Sequence, residues 1–370
     1  KGKANIAYLK KRYEAISKEP LFEEMEFTSD RKKIKAWAPL LISKKDEDSS
    51  VAATKIAHGT DVNFGELTKQ LLALLIKQPN VTIILNSDVK TIKLKKNHGW
   101  EIYYSNLLTK NKTVMYASNV FIGAGGKAIS LLQQMKVKEA SGYAGFPVSG
   151  KWLVCSNPLV VKKHNAKVYG QALPKSPPMS IPHLDLRVIE GKNTLMFGPF
   201  AGFTFKFLKY GSFFDLPKTI KINNIGTMIR VFSKNISLLL YLIKQSLQSS
   251  KNRMAELKYF YPDALDEDWS LMDAGKRVQI MKGCPKEGAK LEFGTEIIFT
   301  KNKTLAALIG ASPGASVSAH SMLNVMTTMF NLTNDKTIKE MVPGYGISLN
   351  KNPKILSQIR KKIYSQLGLN

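Results

Sequence analysis

The sequence predicts a protein of mixed α/β and α+β class, in which a β-rich domain is inserted into a nucleotide-binding domain. Three observations predict this class. A strand, a meander and a second strand run into a glycine cluster at residues 123–126, and a strand, a glycine turn and a helix follow at residues 305–330. Between these two units lies a long stretch of short extended segments separated by Pro and Gly. This order is typical of a discontinuous domain with an insertion.

The elements of the first half follow from hydrophobic spacing and turn residues. Residues 5–17 have the spacing of a helix. A second helix is predicted at residues 66–77, with Asp61 or Asn63 as its N-cap and Pro79 after its end. Alternating or β-branched segments predict strands at residues 81–85, 89–94, 100–104 and 114–122, of which the second and third form a hairpin or meander.

The second half changes from strands to helices and back. Short extended segments at residues 152–155, 166–169 and 194–197 predict a mostly antiparallel sheet. Residues 219–259 have helical spacing. Strands at 295–300 and 305–309 are followed by a helix at 316–330, and residues 352–367 are predicted to form a basic helix.

Composition limits the class of the protein and its partners. The chain has 370 residues, 44% of them hydrophobic, and a formal net charge of +27. Nucleic acid, anionic lipid or an anionic substrate could account for that charge, and so could a general excess of lysine, which is spread along the chain. Cys155 and Cys284 are too few for a disulfide framework, and no Cys/His cluster has zinc spacing, so no metal site is expected.

Two glycine-rich segments contain the candidate cofactor-binding residues. In each, an apolar strand runs into small residues and then a helix, which brings backbone N–H groups and the positive end of the helix dipole to one place. The candidates are Gly123, Ala124 and Gly125 in the first segment and Gly310, Ala311, Ser312, Pro313, Gly314 and Ala315 in the second. Ser312 or Ser316 could cap the second helix. Close strand–helix packing would require similar glycines, and composition does not choose between phosphate, flavin and packing.

The segment PHLDLR at residues 182–187 contains the candidate catalytic residue. In an extended strand, His183, Asp185 and Arg187 would share one face. A possible base, a carboxylate and a guanidinium that binds anions would then lie together, which suits a dicarboxylate substrate. A single histidine is more often structural or exposed to solvent, so the histidine on its own favours this alternative interpretation.

Three further polar side chains are candidate substrate ligands. Lys206 is the one cation of the segment GPFAGFTFKF at residues 198–207, which could be a pocket wall or a turn in the core. Arg277 and Gln279 alternate with apolar residues on one side of a predicted strand. They could bind a carboxylate, or they could lie on a half-exposed edge strand.

Taken together, these segments resemble the malate:quinone oxidoreductase family. The matching stretches occur in the family's order and span almost the whole chain. They are GTDVNFG at 59–65, FIGAGGKA at 121–128, FPVSG at 146–150, PPMS at 177–180, PHLD at 182–185, FGPFAGF at 197–203, KFLK at 206–209, FGTE at 293–296 and LIGASPGAS at 308–316.

The resemblance implies a fold like that of D-amino-acid oxidase, in which an FAD/NAD(P)-binding domain is interleaved with an antiparallel-sheet substrate domain. It implies an FAD-binding domain at residues 59–130 and 301–350, a substrate-binding domain at residues 1–58 and 131–300, and a C-terminal basic helix at residues 351–370. The family's first strand, with the G-x-G-x-x-G loop that holds the FAD pyrophosphate, is expected before Lys1, so this chain is expected to lack it.

The resemblance also implies an activity. The family oxidises (S)-malate to oxaloacetate in the tricarboxylic acid cycle and passes electrons through FAD to membrane quinone. The protein would be cytoplasmic and peripheral on the inner face of the cell membrane, attached to anionic lipid. The resemblance makes His183 the expected base and the turn at residues 310–315 the stabiliser of reduced flavin. The expected carboxylate ligands are Arg187, Lys206, Arg277 and Gln279.

Several alternatives stay open. The last helix, with Ile355, Ile359 and Ile363 at i, i+4 spacing beside Lys and Arg, is a candidate membrane contact or simply packs on the core. The chain could instead be another FAD-dependent 2-hydroxy-acid oxidase or dehydrogenase of the same superfamily, an inactive truncated fragment, or a basic nucleic-acid-binding protein. No recognised nucleic-acid module occurs in the sequence, so no nucleic-acid partner is expected.

Overall fold

The computed structural model describes residues 1–95, 99–171, 181–310, 314–332 and 336–369. Its helices are α1 (Lys3–Ile16), α2 (Arg31–Trp37), α3 (Phe64–Leu75), α4 (Lys127–Gln134), α5 (Pro158–Val161), α6 (Asp215–Thr219), α7 (Ile222–Lys234), α8 (Ile236–Ser246), α9 (Ser250–Phe260), α10 (Ser318–Phe330), α11 (Lys336–Met341) and α12 (Pro353–Leu367). Its strands are β1 (Glu26–Thr28), β2 (Ala53–Lys55), β3 (Ser87–Lys95), β4 (Gly99–Asn106), β5 (Lys112–Ala117), β6 (Val120–Ile122), β7 (Ala144–Cys155), β8 (Lys167–Tyr169), β9 (His183–Ile189), β10 (Lys192–Phe203), β11 (Ser270–Cys284), β12 (Gly288–Glu292), β13 (Thr295–Phe299) and β14 (Leu305–Gly310).

A six-stranded sheet lies between the two glycine segments in sequence. Its strand order is β12-β11-β7-β10-β9-β8, and every neighbouring pair is antiparallel. The prediction of a mostly antiparallel sheet is therefore confirmed. Helices α5 and α9 pack against part of this sheet through a core that includes Leu153, Leu184, Phe197 and Leu257. A second core includes Ile129 of α4, Phe146, Val231 of α7, Leu242 of α8 and Ile280.

A three-stranded sheet brings the two glycine segments together. Its order is β13-β14-β6, and β14 pairs with β6 in parallel, with Leu305 opposite Val120. Because parallel neighbours run in the same direction, both strands end at the same edge of the sheet. The glycine segments follow these two ends directly, so they leave the sheet side by side although they are far apart in sequence.

Two predicted strands differ from the structure. Residues 81–85 are not a strand, because no described strand lies beside them to exchange hydrogen bonds. The predicted strand at residues 114–122 is two strands, because β5 completes an antiparallel meander β3-β4-β5 whereas β6 pairs with β14. The chain changes sheets at Ser118 and Asn119. The hairpin predicted from residues 89–94 and 100–104 is confirmed as β3 and β4.

The N-termini of α3 and α10 show which of the predicted residues act as helix caps. Asn63 caps α3, since its Oδ1 accepts a hydrogen bond from the backbone N–H of Glu66 at 3.0 Å. The helix predicted at residues 316–330 begins at Ser318, and no side chain of the described residues caps it. Ser316 lies in the short turn Ala315–Val317 before that helix and is not its cap, and Ser312 lies outside the described residues.

The C-terminal helix α12 packs against the N-terminal region. Tyr364 Oη lies 2.8 Å from His58 Nδ1, and Arg360 Nη2 donates to the carbonyl oxygen of Leu21 at 3.0 Å. Leu356 of the same helix is buried. These contacts favour the packing interpretation of this helix over the membrane one.

A helix that crosses a bilayer must be both long and predominantly apolar. No single helix among the described residues meets both requirements. Helices α7 and α8 meet both requirements only when taken together, and they are bent by 80° at their junction.

Candidate active site

One face of β9 carries a cluster of charged side chains. His183 Nδ1 lies 2.9 Å from Asp185 Oδ2, and Arg187 Nη2 lies 3.4 Å from the same oxygen. Residues two apart on a strand point to the same side, which is why these three meet. The structure therefore brings together the three side chains that strand alternation predicted to share a face.

Asp185 is at the centre of this cluster. The residue is completely buried, and its Oδ2 also lies 2.9 Å from Lys167 Nζ on the neighbouring strand β8. Burial raises the pKa of Asp185, but the contacts with His183 and Lys167 outweigh burial and hold the pKa below its ordinary value. Asp185 is thus an ionised group that can fix the orientation of the imidazole.

Aromatic rings flank the imidazole of His183. The ring centroids of Trp152 and Tyr169 each lie 4.9 Å from the centroid of His183. Tyr169 is opposite His183 on β8, whereas Trp152 is on β7 and reaches across β10. Gly198 is the residue of β10 opposite His183, and its φ is 144°. A Cβ there would lie 3.2 Å from the Trp152 ring, so glycine leaves room for this contact.

Arg187 links the cluster to the loop before α3. Its Nη1 lies 2.6 Å from Asp61 Oδ1, and the backbone N–H of Val188 donates to Asp61 Oδ2 at 3.4 Å. Asp61, one of the two predicted caps of α3, therefore binds the sheet instead. Because both terminal nitrogens of Arg187 already contact carboxylates, Arg187 would have to release one of them to hold a substrate carboxylate in a bidentate way.

The glycines of the first glycine corner, Gly123–Gly126, differ in how tightly they are packed. A Cβ on Gly126 would lie 2.6 Å from the carbonyl oxygen of Phe207 and 2.7 Å from Val278 Cγ2, so packing requires this glycine. A Cβ on Gly123 would meet only the ring of Phe121, and one on Gly125 only Leu208, at 3.8 Å. Close packing therefore does not explain Gly123, whereas Gly125 has a φ of 55°, a conformation that itself favours glycine. The backbone at both positions is open to a ligand among the described residues.

The second glycine corner begins at Gly310. Its φ is 87°, and a Cβ there would lie 2.3 Å from the carbonyl oxygen of Gly294, so packing requires glycine at this position. Gly314 and Ala315 precede α10, whose first N–H groups receive no cap from a side chain that the structure describes. The predicted ligands Ala311, Ser312 and Pro313 lie outside the described residues.

Strand β11 packs against both corners. Val278 Cγ2 approaches Gly126, and a Cβ on Gly310 would lie 3.0 Å from Ile280 Cδ1. Val278 and Ile280 are two residues apart and share a face of the strand. The two glycine corners therefore lie next to each other on one face of β11, as a single bound cofactor would require.

Arg277 and Gln279 alternate with these two apolar residues and point to the opposite face of β11. Gln279 is buried, and its partner on β7, Phe146, packs against Phe232 of α7 with ring centroids 5.5 Å apart. Burial lowers the pKa of Arg277, and no carboxylate pairs with it in the described part of the chain. Arg277 is half-buried, and β12 pairs with β11 only from Ile280 onward, so the half-exposed edge fits Arg277 among the described residues, whereas Gln279 is buried. Neither side chain lies on the face that meets the glycine corners.

The remaining candidates are also distant from the imidazole. Strands β10 and β7 lie between β9 and β11, so His183 and Arg277 are separated by about 14 Å in the direction perpendicular to the strands, at ~4.8 Å per strand. The register also places them several residues apart along the strands. Lys206 follows the end of β10, and its Nζ lies 4.5 Å from the centroid of the Phe213 ring, near the first glycine corner. The structure does not bring Lys206, Arg277 or Gln279 to His183.

Sequence reasoning missed Lys167, Trp152, Tyr169 and Asp61 as members of the site. Lys167 and Tyr169 lie on a strand that was predicted, and pairing that strand with the strand of His183 would have placed a lysine opposite Asp185. The register between two strands is set by contacts across the sheet, which is why these partners were not visible in the local sequence.

Comparison with known proteins identifies the family. The family described as malate:quinone oxidoreductase matches residues 1–369. A probable malate:quinone oxidoreductase of Flavobacterium johnsoniae is 46% identical over 367 residues, covering 97% of this chain and 73% of that protein. Another from Hahella chejuensis is 45% identical over 373 residues, covering 100% of this chain and 75% of that protein.

A solved structure supports the predicted fold class. The glycerol-3-phosphate dehydrogenase of Bacillus halodurans, complexed with FAD, has a TM-score of 0.51 and 14% identity to this chain. The comparison covers 84% of this chain and 53% of the dehydrogenase, and at this identity it shows the fold alone. The family match over residues 1–369 and the identity to these relatives show that this chain belongs to the malate:quinone oxidoreductase family.

Proposed function

We propose that this chain is the greater part of an FAD-dependent enzyme that oxidises (S)-malate to oxaloacetate and passes the electrons to membrane quinone, as a step of the tricarboxylic acid cycle. Membership of the family supports this activity. The observation that carries it is the pairing of His183 with the buried carboxylate of Asp185, because oxidation of an alcohol needs a base held in a fixed orientation.

FAD fits the two adjacent glycine corners. The backbone at Gly123 and Gly125, on either side of Ala124, is open to a ligand, and the start of α10, which no described side chain caps, follows Gly314 and Ala315. In this proposal these residues, with Gly310, Ala311, Ser312 and Pro313, hold the cofactor. FAD, when bound, supplies the acceptor for the hydride of malate and the relay of electrons to quinone.

The residues of β9 then have definite tasks. His183 takes the proton of the malate hydroxyl, and Asp185 stabilises the imidazolium that forms. Trp152 and Tyr169 limit the access of water to the imidazole, whose side chain is 11% exposed. Lys167 and Arg187 add positive charge beside the position that a carboxylate of malate would occupy.

Lys206, Arg277 and Gln279 remain proposed substrate ligands with a weaker basis. Lys206 and Arg277 have no carboxylate partner among the described residues, so each could bind a carboxylate group of malate. Their distance from His183 means that the substrate or the strands would have to move for them to contact malate together with the imidazole.

The proposal includes an arrangement of domains and a place in the cell. Residues 59–130 and 301–350 form the FAD-binding domain, residues 1–58 and 131–300 the substrate-binding domain, and residues 351–370 a C-terminal helix. The protein is cytoplasmic and binds anionic lipid at the inner face of the cell membrane, where quinone is available. The net charge of +27 supports attraction to both malate and such a surface.

His183→Ala and His183→Gln variants of the full-length protein test the base. We expect kcat for malate-dependent reduction of a quinone analogue to fall by about 100-fold or more, because the proton acceptor is lost. Bound flavin, measured by its absorbance, should remain at the wild-type level. Near-normal turnover in both variants would remove His183 from this role.

The acceptor is tested separately from the base. Malate-dependent formation of hydrogen peroxide in the absence of quinone distinguishes an oxidase of the same superfamily from a quinone reductase. We expect fast reduction of the quinone analogue and little peroxide. Peroxide formation at the same rate as quinone reduction would contradict the proposed acceptor.

A further inference from the structure

Helix α7 exposes an apolar stripe to solvent. Ile222, Ile225 and Ile229 are all exposed, with Ile222 at 98%, and their spacing places them on one side of the helix. The opposite side carries Met228 and Val231, which are buried in the core. The helix is thus apolar on two faces, and the core accounts for only one of them.

Helix α8 repeats this arrangement. Its exposed apolar side chains follow one stripe at i, i+4, i+7 and i+11 and are Ile236, Leu240, Ile243 and Leu247, the last just beyond the helix end. Leu242 on the other side is completely buried. Two consecutive helices that both expose a second apolar stripe are unusual for a surface that faces only water.

The loop before these helices adds exposed aromatic side chains. Tyr210, Phe213 and Phe214 are all more than half exposed, with Tyr210 at 91%. Together with α7 and α8 they form a surface within residues 205–247, which we call the apolar face. A tyrosine ring is stabilised at the boundary between water and lipid because it has both a polar hydroxyl and an apolar body, whereas phenylalanine rings gain from contact with the acyl chains.

The segment that forms the apolar face is rich in positive charge. The basic residues of this segment are Lys206, Lys209, Lys218, Lys221, Arg230, Lys234 and Lys244, and its one acidic residue is Asp215. Asp215 accepts hydrogen bonds from the backbone N–H groups of Phe207 and Ser212 and is thereby used inside its own loop. None of the seven basic side chains forms an ion pair within the described residues.

A basic groove lies beside the apolar face. It has a volume of about 1190 Å³, lies between α4 and the loop at residues 207–223, and is lined by Lys136, Lys218 and Lys221 among others. Lys127 also lines the groove but pairs with Asp88. An anionic headgroup would fit three unpaired ammonium groups at the edge of an apolar surface.

We propose that the apolar face docks on an anionic lipid bilayer, with its apolar side chains among the acyl chains and phosphate headgroups against the surrounding lysines. This inference rests on the proposed function, because quinone is reached from the bilayer. Burial of Val231 and Leu242 holds α7 and α8 on the protein, so the bent pair lies on the membrane and does not cross it.

The charge of the segment favours a bilayer over a second copy of the chain as the partner that covers the apolar face. Two apolar faces brought together would place seven unpaired cations opposite the same seven, and like charges repel. Anionic lipid neutralises them instead. The helix α12, whose Tyr364 and Arg360 bind the N-terminal region, is a much poorer candidate for the same role.

Vesicle co-sedimentation of the full-length protein tests this surface. The variant Ile229→Ser/Leu240→Ser removes one exposed side chain from each stripe, and Ile363→Ser/Leu367→Ser makes the matched change on α12. Vesicles of phosphatidylglycerol and phosphatidylcholine are compared with phosphatidylcholine alone. We expect the first variant to bind the anionic vesicles at least about tenfold more weakly than wild type, the α12 variant to bind like wild type, and wild type to prefer the anionic vesicles.

Equal binding of wild type and the Ile229→Ser/Leu240→Ser variant to the vesicles would overturn the proposal. It would also be overturned if wild type were a dimer and the variant a monomer that still bound vesicles like wild type, because the apolar face would then be a dimer interface. Malate-dependent reduction of a water-soluble dye separates this result from the activity. We expect the variant to reduce the dye at the wild-type rate. Absence of dye reduction in wild type, with intact vesicle binding, would reject the proposed activity and leave the docking surface standing.

Discussion

The residue Asp185 decides what His183 can do at the candidate site. Oδ2 of this buried carboxylate contacts an imidazole, an ammonium and a guanidinium, whereas Oδ1 is buried with no hydrogen-bond partner in the described ranges. A neutral amide in the same place would keep the volume and lose the charge. The role of Asp185 as a positioning residue can therefore be tested with little change in packing.

An Asp185→Asn variant should lower kcat for malate by about 100-fold, because the imidazolium formed in the reaction loses its counter-ion. KM should change much less, since Lys167 and Arg187 remain. Steady-state kinetics with a soluble acceptor measure both values. An increase in KM with normal kcat would instead assign Asp185 to substrate binding.

The lowered pKa of Asp185 predicts that the stability of the protein depends on pH. The pKa of Asp185 is lower in the folded protein than in the unfolded chain, so the unfolded chain binds its proton more readily as the pH falls. The stability that this carboxylate contributes is present above its unfolded pKa and is lost as the pH falls through its folded pKa.

Thermal unfolding of wild type and Asp185→Asn between about pH 6 and pH 3 measures this effect. We expect the Tm of wild type to fall more steeply with decreasing pH than the Tm of the variant. Asp273→Asn, at an exposed position of β11, is the matched control and should follow wild type. Parallel curves for Asp185→Asn and wild type would contradict the expected linkage.

At the scale of elements, the glycine corners show where local sequence was sufficient. The order strand, glycine turn, helix predicted both corners, and hydrophobic alternation predicted the meander and most strands of the large sheet. Residues 81–85 have strand-like side chains and are not a strand, because a strand also needs a neighbour. The partners of His183 on β8 and β7 depend on register, which local sequence does not specify.

The first corner allows packing to be separated from cofactor binding. Gly126→Ala should lower the stability of the protein by about 1–3 kcal/mol, because its Cβ would overlap the carbonyl oxygen of Phe207. Gly123→Ala should leave the Tm of the flavin-free protein nearly unchanged but weaken FAD binding, since its backbone is open to the ligand. Flavin titration and thermal unfolding measure the two effects. Equal loss of stability in both variants would mean that packing explains Gly123 as well.

At the scale of the whole molecule, charge should govern the capture of substrate. The formal net charge is +27 and malate is a dianion, so long-range attraction should raise the association rate at low ionic strength. We expect kcat/KM for malate, measured with a neutral soluble acceptor, to fall as salt increases from about 0.01 M to about 0.15 M, while kcat stays constant. A kcat/KM that is independent of salt would show that the charge serves another purpose.

The parallel pairing of β6 with β14 has a consequence for how the polypeptide is assembled. Val120 and Leu305 are neighbours in the sheet, yet the entire antiparallel sheet is synthesised between them. During translation β6 is therefore unpaired until the inserted region has been synthesised. Closing so long a loop is entropically costly unless the inserted region is already compact. We therefore expect the inserted sheet to fold first and to bring β6 and β14 close enough to pair.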